Sequence, residues 1–383
     1  MGNRTNGRFP RLLVVSRNVP PAVTGSAIIV GNLAKQFTPE EMIVVGMLDP
    51  GRPEVSWSPG WPPLRYATVW SDQWRGERFM RWPQFPWLLL YTLWTLIRGR
   101  CEAVLAVYPS EMYLLAAYLV ARLTRKPLYG YFHNTYYENH RNSRLARWLQ
   151  PRVFAYARHI FVMSEGMQRL YQQNYPGLSC SPLVHTFNDP IPAFEPPPLH
   201  NPVRLCFSGS INPSCADAAT RMAQLVQEVD NVQVTLLTGV PQVVVERTGF
   251  VGPKVTVTTV SRDELIDKLR EADILLLPHG FTSTFAQEEI QTIFPTKVIE
   301  YLISGRSILA HMPGDCFLAE FLRRHNCALI VDEPSVEALK AGLQRLVEDD
   351  RLRAELVCNA LRAAEQFRAP VVAAHLRKVV THN

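Results

Sequence analysis

The stretch that decides the fold reads FPTKVIEYLISGRSILAH and covers residues 294–311. Between positions 298 and 303 its apolar residues recur at the three-and-four spacing of an amphipathic helix. Gly305 follows at the position that a helix C-terminus favours, because glycine adopts positive φ without a Cβ clash. Residues 307–310 then predict a short buried strand. The stretch therefore predicts a turn, a helix, a glycine stop and a strand, a unit typical of α/β proteins.

The start of this helix carries two charged residues. Pro295 and Thr296 place a helix N-terminus there, where unpaired backbone N–H groups and the helix dipole suit an anion. Lys297 lies in the first turn and opposes the dipole, so a bound phosphate would explain its position. Glu300 follows three residues later on the same face. The sequence leaves a second interpretation open, which is an ordinary α/β helix with an exposed Lys–Glu pair.

Size and composition describe a globular protein with about two domains. The chain has 383 residues, of which 47% are hydrophobic and 19% are charged. Its seven cysteines are scattered and show no Cys-x-x-Cys spacing. This pattern argues against a zinc site and a disulfide framework, and it indicates a reducing compartment. The polar start of the chain predicts no secretory signal. We therefore expect a cytoplasmic protein without a metal.

Charge and tryptophan are unevenly distributed. Residues 1–195 contain 21 Lys and Arg against 12 Asp and Glu, a net charge of +9, whereas residues 196–383 carry a net charge of −3. All eight tryptophans lie before position 149. Arginine combined with tryptophan is typical of membrane interfaces. We expect the first half to contact a membrane surface peripherally, on its inner face, and we expect no nucleic-acid partner because no such module is recognisable.

The chain opens two domains with the same succession of a strand, a glycine-containing loop and a helix. The first copy covers residues 11–36 and the second covers residues 203–228. A proline-rich connector at residues 190–202 separates them and predicts a stiff boundary. Further buried strands are expected at 42–46, 103–107, 127–132, 159–163, 183–188, 232–238, 255–260, 274–278 and 328–331.

Two segments of the first half allow more than one interpretation. Residues 50–87 are rich in Pro and Trp and lack periodicity, which predicts a long loop or a lid. Residues 85–97 are apolar but shorter than the roughly 18–20 residues that span a bilayer. They predict either a buried helix or one whose side with Trp87 and Trp94 lies at an interface.

Polar residues follow the strand at 127–132. His133 and Asn134 come directly after it, and α/β domains place their chemistry at the carboxyl ends of parallel strands. The basic and aromatic segment that follows is a candidate surface for an acceptor or a lipid head group. Its acceptor-side candidates are Asn134, Tyr136, Tyr137 and Arg141.

Taken together, the Pro-Thr-Lys-x-x-Glu-Tyr helix and the strand between Ala272-Asp273 and Pro278 resemble retaining glycosyltransferases of family 4 with the GT-B fold. The resemblance implies an α/β fold of two Rossmann-like domains facing across a cleft. It implies an acceptor domain at 1–190, a hinge at 191–202, a donor domain at 203–369, and a C-terminal helix at 370–381 that packs back on the acceptor domain.

The resemblance also implies roles for single residues. His133 would face the transferred sugar and act with Lys297 as a catalytic residue. Glu300 would bind the ribose, and backbone atoms at Phe250 would flank the base. The implied donor contacts are Gly25, Ser26, Gly209, Ser210, Phe250, His279, Pro295, Thr296, Lys297 and Glu300.

This sequence departs from the commoner family pattern at two places. Ser210 stands where many members have arginine, and no cation follows before Arg221. Thr292 stands where a glutamate is usual, while Glu288 and Glu289 are out of register. These departures keep two alternatives open: a nucleotide-sugar binding protein without transferase activity, and a GT-B epimerase.

The activity implied by the resemblance is a metal-independent, retaining, hexosyltransferase-like reaction. A UDP- or GDP-linked sugar would serve as donor, with no further cofactor. A glycan, a lipid-linked molecule or a small molecule would accept the sugar, in polysaccharide or glycolipid biosynthesis.

Overall fold

Two parallel sheets organise the chain. A computed structural model describes residues 8–22, 24–50, 57–69, 82–191 and 197–382. The chain divides into two compact units. Unit 1 comprises Met1–Asn188 with Phe367–Asn383, and unit 2 comprises Asp189–Gln366.

The sheet of unit 1 has seven parallel strands in the order β3-β2-β1-β4-β5-β6-β7. Its strands are β1 Leu12–Val15, β2 Met42–Leu48, β3 Leu64–Val69, β4 Ala103–Tyr108, β5 Leu128–Phe132, β6 His159–Val162 and β7 Cys180–Pro182. Its helices are α1 Gly25–Ala34, α2 Phe85–Arg98, α3 Glu111–Thr124, α4 Arg144–Tyr156, α5 Glu165–Asn174 and, from the end of the chain, α14 Ala369–His382.

Helices cover both faces of this sheet because successive strand residues point to opposite sides. Leu13 and Val15 of β1 join the core formed with α2, α3, α4 and α5. Leu12 and Val14 join the core formed with α1 and α14. The central strands are therefore apolar along their whole length, as the run LLVV in β1 illustrates.

The sheet of unit 2 has six parallel strands in the order β10-β9-β8-β11-β12-β13. Its strands are β8 Val203–Ser208, β9 Val232–Leu237, β10 Val255–Thr258, β11 Ile274–Pro278, β12 Ser307–His311 and β13 Leu329–Val331. Its helices are α6 Ala216–Glu228, α7 Gln242–Glu246, α8 Leu265–Arg270, α9 Gln287–Thr292, α10 Lys297–Ile303, α11 Phe317–His325, α12 Val336–Glu348 and α13 Asp350–Ala364.

One tyrosine fixes helix α10 on the sheet of unit 2. Tyr301 is fully buried, and its hydroxyl accepts a hydrogen bond of 2.8 Å from the backbone N–H of Ser208. The same hydroxyl donates to the carbonyl of Leu276 over 3.2 Å. The start of α10 is thereby held beside the carboxyl ends of β8 and β11.

A buried carboxylate holds the entry into unit 2. Asp273 accepts hydrogen bonds from the backbone N–H groups of His200 (3.2 Å) and Arg204 (2.7 Å), and from the His200 ring nitrogen Nδ1 (2.8 Å). The Ala-Asp pair before β11 therefore has a structural task, which is to tie the segment before β8 to the central strand.

The structure corrects the expected elements at two places. Residues 183–188 do not form the expected strand: β7 lies earlier, at Cys180–Pro182, and Phe187 forms only an isolated bridge to Arg368. The expected loop at 50–87 contains strand β3, while its residues 51–56 and 70–81 lie outside the described residues.

Helix α2 is neither wholly buried nor wholly exposed, because its two sides differ. Leu88 and Leu96 are buried, whereas Trp87 and Trp94 face solvent. None of the helices among the described residues is both long and apolar enough to cross a membrane. Likewise, the described residues contain no cluster of three or more His, Cys, Asp or Glu that would hold a metal ion.

We predict that Asp273→Ala lowers the free energy of unfolding of unit 2 by about 1–3 kcal/mol, because the backbone N–H groups of His200 and Arg204 lose their acceptor. Circular dichroism is the measurement of choice, since all eight tryptophans lie in unit 1 and their fluorescence does not report on unit 2. Asp230→Ala is the control, because that side chain is fully exposed. Equal unfolding curves for the two variants would contradict the assignment.

Candidate functional site

A lysine, a glycine and an aromatic ring meet where α10 begins beside β8. The ammonium group of Lys297 lies 4.1 Å from the ring centroid of Phe207. Gly209 has a φ of +93°, and a Cβ placed on it would lie 3.3 Å from Lys297 Cε and 3.4 Å from Nζ. Only a glycine therefore leaves the lysine its present position while adopting this backbone conformation.

The charge of Lys297 is not neutralised locally. Burial lowers the pKa of its ammonium group, and the negative field of Glu300 opposes that shift only in part. Among the described residues no carboxylate forms a salt bridge with Lys297 and no group hydrogen-bonds to it. Lys297 is partly buried. A cation that loses part of its hydration without gaining a counter-ion is unfavourable for a protein, and a ligand can supply the negative charge.

Glu300 lies on the next turn of α10 and is buried. Its oxygen Oε1 accepts a hydrogen bond from Arg262, on the loop before α8. Burial raises the pKa of the Glu300 carboxyl group, while the charge of Arg262 lowers it. The second oxygen, Oε2, accepts no hydrogen bond from the described residues, so it is free to accept one from a ligand hydroxyl.

Two residues with hydroxyl groups are chain neighbours of Gly209 and Lys297. Ser210 is exposed, and its Oγ forms no hydrogen bond within the described ranges. Thr296 occupies the N-cap of α10, yet its side chain caps no backbone N–H; Pro295 before it is partly exposed. The N–H of Gly209 is used, because it donates to the carbonyl of Leu237 over 2.9 Å. The N–H of Gly209 is therefore not available to a ligand, and the residue contributes to the site through the space that it leaves beside Lys297.

His279 follows β11 and has one ring nitrogen committed. Its Nε2 lies 2.8 Å from the carbonyl oxygen of Ile290, so Nε2 carries the hydrogen. Burial lowers the pKa of this imidazole, which keeps the ring neutral. In that tautomer Nδ1 is a hydrogen-bond acceptor, and His279 can receive a bond from a ligand hydroxyl.

The loop after β11 is fixed by a network based on α6. Asp217 accepts hydrogen bonds from the N–H groups of Phe281 (3.1 Å) and Thr282 (3.3 Å) and pairs with Arg221 at 3.0 Å. Arg221 also donates from Nε to Nε2 of His311 over 2.8 Å. Arg221, which is the first cation after Gly209 in the sequence, is therefore paired within the protein. Lys297 has no such pairing among the described residues.

Three other expected donor contacts have different surroundings. The side chain of Phe250 is buried in the core of unit 2, so a contact with the base through its backbone stays a prediction. Gly25 and Ser26 open helix α1 in unit 1 and are partly exposed. Thr24 caps that helix by accepting from the N–H of Ala27 over 3.4 Å.

Thr292 is the residue at the position where family members usually have a glutamate. In the structure it lies in the short helix α9. Its hydroxyl donates to the carbonyl of Glu288 over 2.7 Å, and the residue is buried. The residue in the usual glutamate position thus satisfies its own hydroxyl within α9.

In unit 1, His133 follows β5 as a buried, neutral imidazole. It is 7% exposed, and neither ring nitrogen has a hydrogen-bond partner among the described residues. Burial lowers its pKa to about 3, and the neighbouring His185 contributes to the shift. The ring rests edge-on against Tyr131 with 4.3 Å between centroids. A buried polar group without a partner is a recurrent property of binding sites.

The acceptor-side candidates are spread over different environments. Tyr136 is fully buried, and its hydroxyl donates to Glu111 over 2.9 Å. It has no exposed atom for an acceptor and leaves the set of proposed contacts. Asn134 and Tyr137 are partly exposed, and Arg141 is exposed.

Sequence reasoning missed Arg262 as a member of this site. In the sequence, Ser261-Arg262-Asp263-Glu264 is typical of a helix cap, and Glu264 does accept hydrogen bonds from Ser261. Nothing local distinguishes Arg262 from other surface arginines, because its partner Glu300 lies 38 positions later. A carboxylate buried in an amphipathic helix is the signal that would have called for a cation nearby.

Comparisons with known proteins agree with this architecture. Residues 23–179 match the profile of Glycosyltransferase Family 4. No curated protein matches the sequence.

Solved structures of two proteins have the same fold. Sucrose-phosphate synthase from Thermosynechococcus elongatus is 14% identical and superposes with a TM-score of 0.72, covering 97% of this chain and 98% of its own. HepE from Anabaena in complex with UDP is 13% identical, with a TM-score of 0.69 and coverage of 97% and 100%. The HepE complex with UDP-glucose gives a TM-score of 0.68 at 13% identity, with coverage of 97% and 99%.

At these identities the superpositions establish the fold, and the profile match adds the family signal in unit 1. The chain therefore has the fold of GT-B glycosyltransferases, and over residues 23–179 it is similar to Glycosyltransferase Family 4.

Proposed function

We propose that this protein is a retaining glycosyltransferase whose unit 2 binds a nucleotide-diphosphate sugar at Lys297. The observation that carries the proposal is the partly buried Lys297 ammonium group, which lacks a carboxylate partner among the described residues and is packed against Gly209. A diphosphate supplies the missing negative charge. The hydroxyls of Ser210 and Thr296 add neutral donors beside it.

The remaining groups fit the other parts of a donor. Glu300, held by Arg262, offers Oε2 to a ribose hydroxyl, and His279 offers Nδ1 to a hydroxyl of the sugar. HepE has been solved with UDP and with UDP-glucose, which supports a UDP-linked hexose as the first donor to test. GDP-linked sugars are the second choice.

The chemistry proposed is transfer with retention of configuration, as the family resemblance implies. The bond between the anomeric carbon and the phosphate oxygen breaks, and its electrons stay on the diphosphate. An acceptor oxygen bonds to the same carbon from the same face, and its proton passes to the leaving phosphate. Lys297 stabilises the negative charge that develops on the leaving group, so the reaction needs no metal at this place.

His133 is the proposed catalytic residue of unit 1. A neutral imidazole with unpartnered nitrogens can hydrogen-bond a sugar hydroxyl without adding positive charge beside the developing oxocarbenium ion. Its lowered pKa keeps it neutral throughout the physiological range. Gly25, Ser26 and the backbone at Phe250 stay proposed donor contacts, and Asn134, Tyr137 and Arg141 stay proposed acceptor contacts.

The proposed domain roles follow the same scheme. Residues 1–190 would bind the acceptor and residues 203–369 the donor, with residues 191–202 as the hinge. The acceptor is a glycan, a lipid-linked molecule or a small molecule. The proposed location is the cytoplasm, with unit 1 in peripheral contact with a membrane.

Incubation with radiolabelled UDP-glucose, with and without membrane lipid extract, tests the activity. A labelled glycolipid supports transfer. Binding of the label without turnover would instead identify a nucleotide-sugar binding protein, and conversion of the donor sugar would identify an epimerase. The same assay with GDP-mannose distinguishes the base.

We predict that Lys297→Ala weakens UDP binding by about tenfold to hundredfold, because the diphosphate loses its charge-assisted partner. Titration calorimetry measures the effect. Lys268→Ala is the control, since that lysine lies on α8 of the same unit, half-exposed and paired with Glu271. Unchanged UDP affinity in Lys297→Ala, with the fold intact, would remove the proposed donor site.

We predict that unit 1 loses stability as the pH falls below about 6.5, because unfolded His133 binds a proton that the folded imidazole, with a pKa of about 3, resists. Between pH 7 and about pH 4.5 this histidine alone costs about 3 kcal/mol. His133→Gln should make the pH dependence shallower, as measured by tryptophan fluorescence in urea. The exposed His140 provides the control: if His140→Gln has the same effect, His133 is not buried in its neutral form.

A further inference from the structure

Helix α2 carries an apolar surface on the side that faces away from the core of unit 1. Its buried side contributes Leu88 and Leu96 to the core. On the opposite side four large residues are exposed at spacings of three, four and three, which places them within about 80° around the helix axis. We call them the α2 stripe: Trp87 (60% exposed), Leu90 (60%), Trp94 (49%) and Ile97 (60%).

The aromatic side chains of the stripe are neighbours on the surface rather than isolated residues. Tyr91 stands between the two indoles, with ring centroids 6.0 Å from Trp87 and 5.6 Å from Trp94. Single exposed apolar residues are normal on a protein surface, whereas a contiguous aromatic and aliphatic patch marks an interaction site. The burial on the inner side of α2 shows that the stripe is not needed to hold the helix on the sheet.

The charges on the helices around the stripe are mostly positive. Helices α2, α3 and α4 pack on the same face of the sheet, so their outer sides form one surface. The three helices contain a single carboxylate, Glu111, which is partly buried and accepts hydrogen bonds from Tyr136 and Ser143. They contain five arginines, all exposed: Arg98, Arg122, Arg144, Arg147 and Arg152.

Arginine and aromatic side chains are also in direct contact there. The guanidinium of Arg65 lies 5.5 Å from the ring centroid of Trp94. Arg152 lies 4.7 Å from the ring of Trp148, a further exposed indole on α4. Such pairs keep an apolar body and a charged head side by side, which suits the boundary between hydrocarbon and lipid head groups.

We propose that the outer face of α2, α3 and α4 rests on an anionic lipid bilayer, with the α2 stripe inserted among the head groups. The 14 residues of α2 are about 21 Å long and do not reach across a hydrocarbon layer of about 30 Å, so the helix lies in the plane of the surface. A bilayer surface supplies apolar contact for the stripe and negative charge for all five arginines at once.

The inference rests on the proposed function in one respect only. A transferase held on a membrane by its acceptor unit draws its acceptor from that membrane, which narrows the acceptor to a lipid-linked molecule. Membrane binding itself requires neither the donor site nor turnover, so the two proposals fail separately.

Vesicle flotation of the full chain tests the proposal. We expect the protein to float with vesicles that contain phosphatidylglycerol and to float poorly with pure phosphatidylcholine. High salt should weaken binding, because the arginine contribution is screened. Tryptophan emission should shift to the blue on vesicle addition, and this signal comes from unit 1 alone.

Matched variants test whether vesicle binding depends on the stripe itself or on any exposed apolar residue of unit 1. Ile97→Glu should reduce partitioning into anionic vesicles roughly tenfold or more, because a charge then replaces apolar surface that the bilayer would bury. Val371→Glu is the control, because Val371 is 51% exposed in the same unit on α14, at the opposite face of the sheet. Arg147→Glu and Lys378→Glu form the corresponding pair for charge, both at exposed positions of unit 1.

The outcomes are distinct. Loss of flotation in Ile97→Glu but not in Val371→Glu, with UDP affinity unchanged in both, supports the bilayer. Equal flotation of the two variants overturns the proposal. The proposal is also overturned if the wild-type protein fails to float and forms a dimer that Ile97→Glu dissociates. A second copy of the chain would then cover the stripe. Flotation without any UDP binding would leave the membrane face in place and refute the donor site instead.

Discussion

A partly buried lysine without a carboxylate partner among the described residues is the feature around which the candidate site of unit 2 is arranged. Tyr301 holds α10 against two strands, and Gly209 keeps its backbone clear of the Lys297 side chain. The neighbouring cations are committed elsewhere: Arg221 to Asp217 and Arg262 to Glu300. Among these three cations of the described site, Lys297 is therefore the one that is not paired with a carboxylate. The proposed diphosphate would supply the negative charge that it lacks.

In unit 1 the buried group at the candidate site is neutral, whereas the outer helices carry exposed positive charge. His133 is enclosed without charge, which suits contact with a neutral sugar rather than with phosphate. The outer helical layer instead exposes five arginines and the α2 stripe to solvent. The same unit thus separates a neutral buried group from a basic, aromatic outer face. This division fits an enzyme that takes a neutral sugar acceptor from an anionic surface.

Much of the fold follows from local pattern, because parallel strands buried on both faces read as continuous apolar runs. The strands at Met42–Leu48 and Ile274–Pro278, and the helix after Thr296, were predictable in this way. Strand β3 was not, since Leu64–Val69 lies at the sheet edge and its partly polar sequence sits between prolines and tryptophans. The partner of Glu300 was not predictable either, because a pairing across 38 positions leaves no local trace. From the sequence, α2 could be either a buried helix or one whose tryptophan side lies at an interface. Only the burial of Leu88 and Leu96 in the structure shows which side faces solvent.

A crystal structure of the protein soaked in parallel with UDP and with GDP tests the central claim most directly. The account predicts a diphosphate whose oxygens lie within hydrogen-bond distance of Lys297 Nζ, with a ribose hydroxyl at Glu300 Oε2, for at least one of the two nucleotides. A nucleotide bound elsewhere, or bound with Lys297 still resting on Phe207 and away from its phosphates, would contradict it.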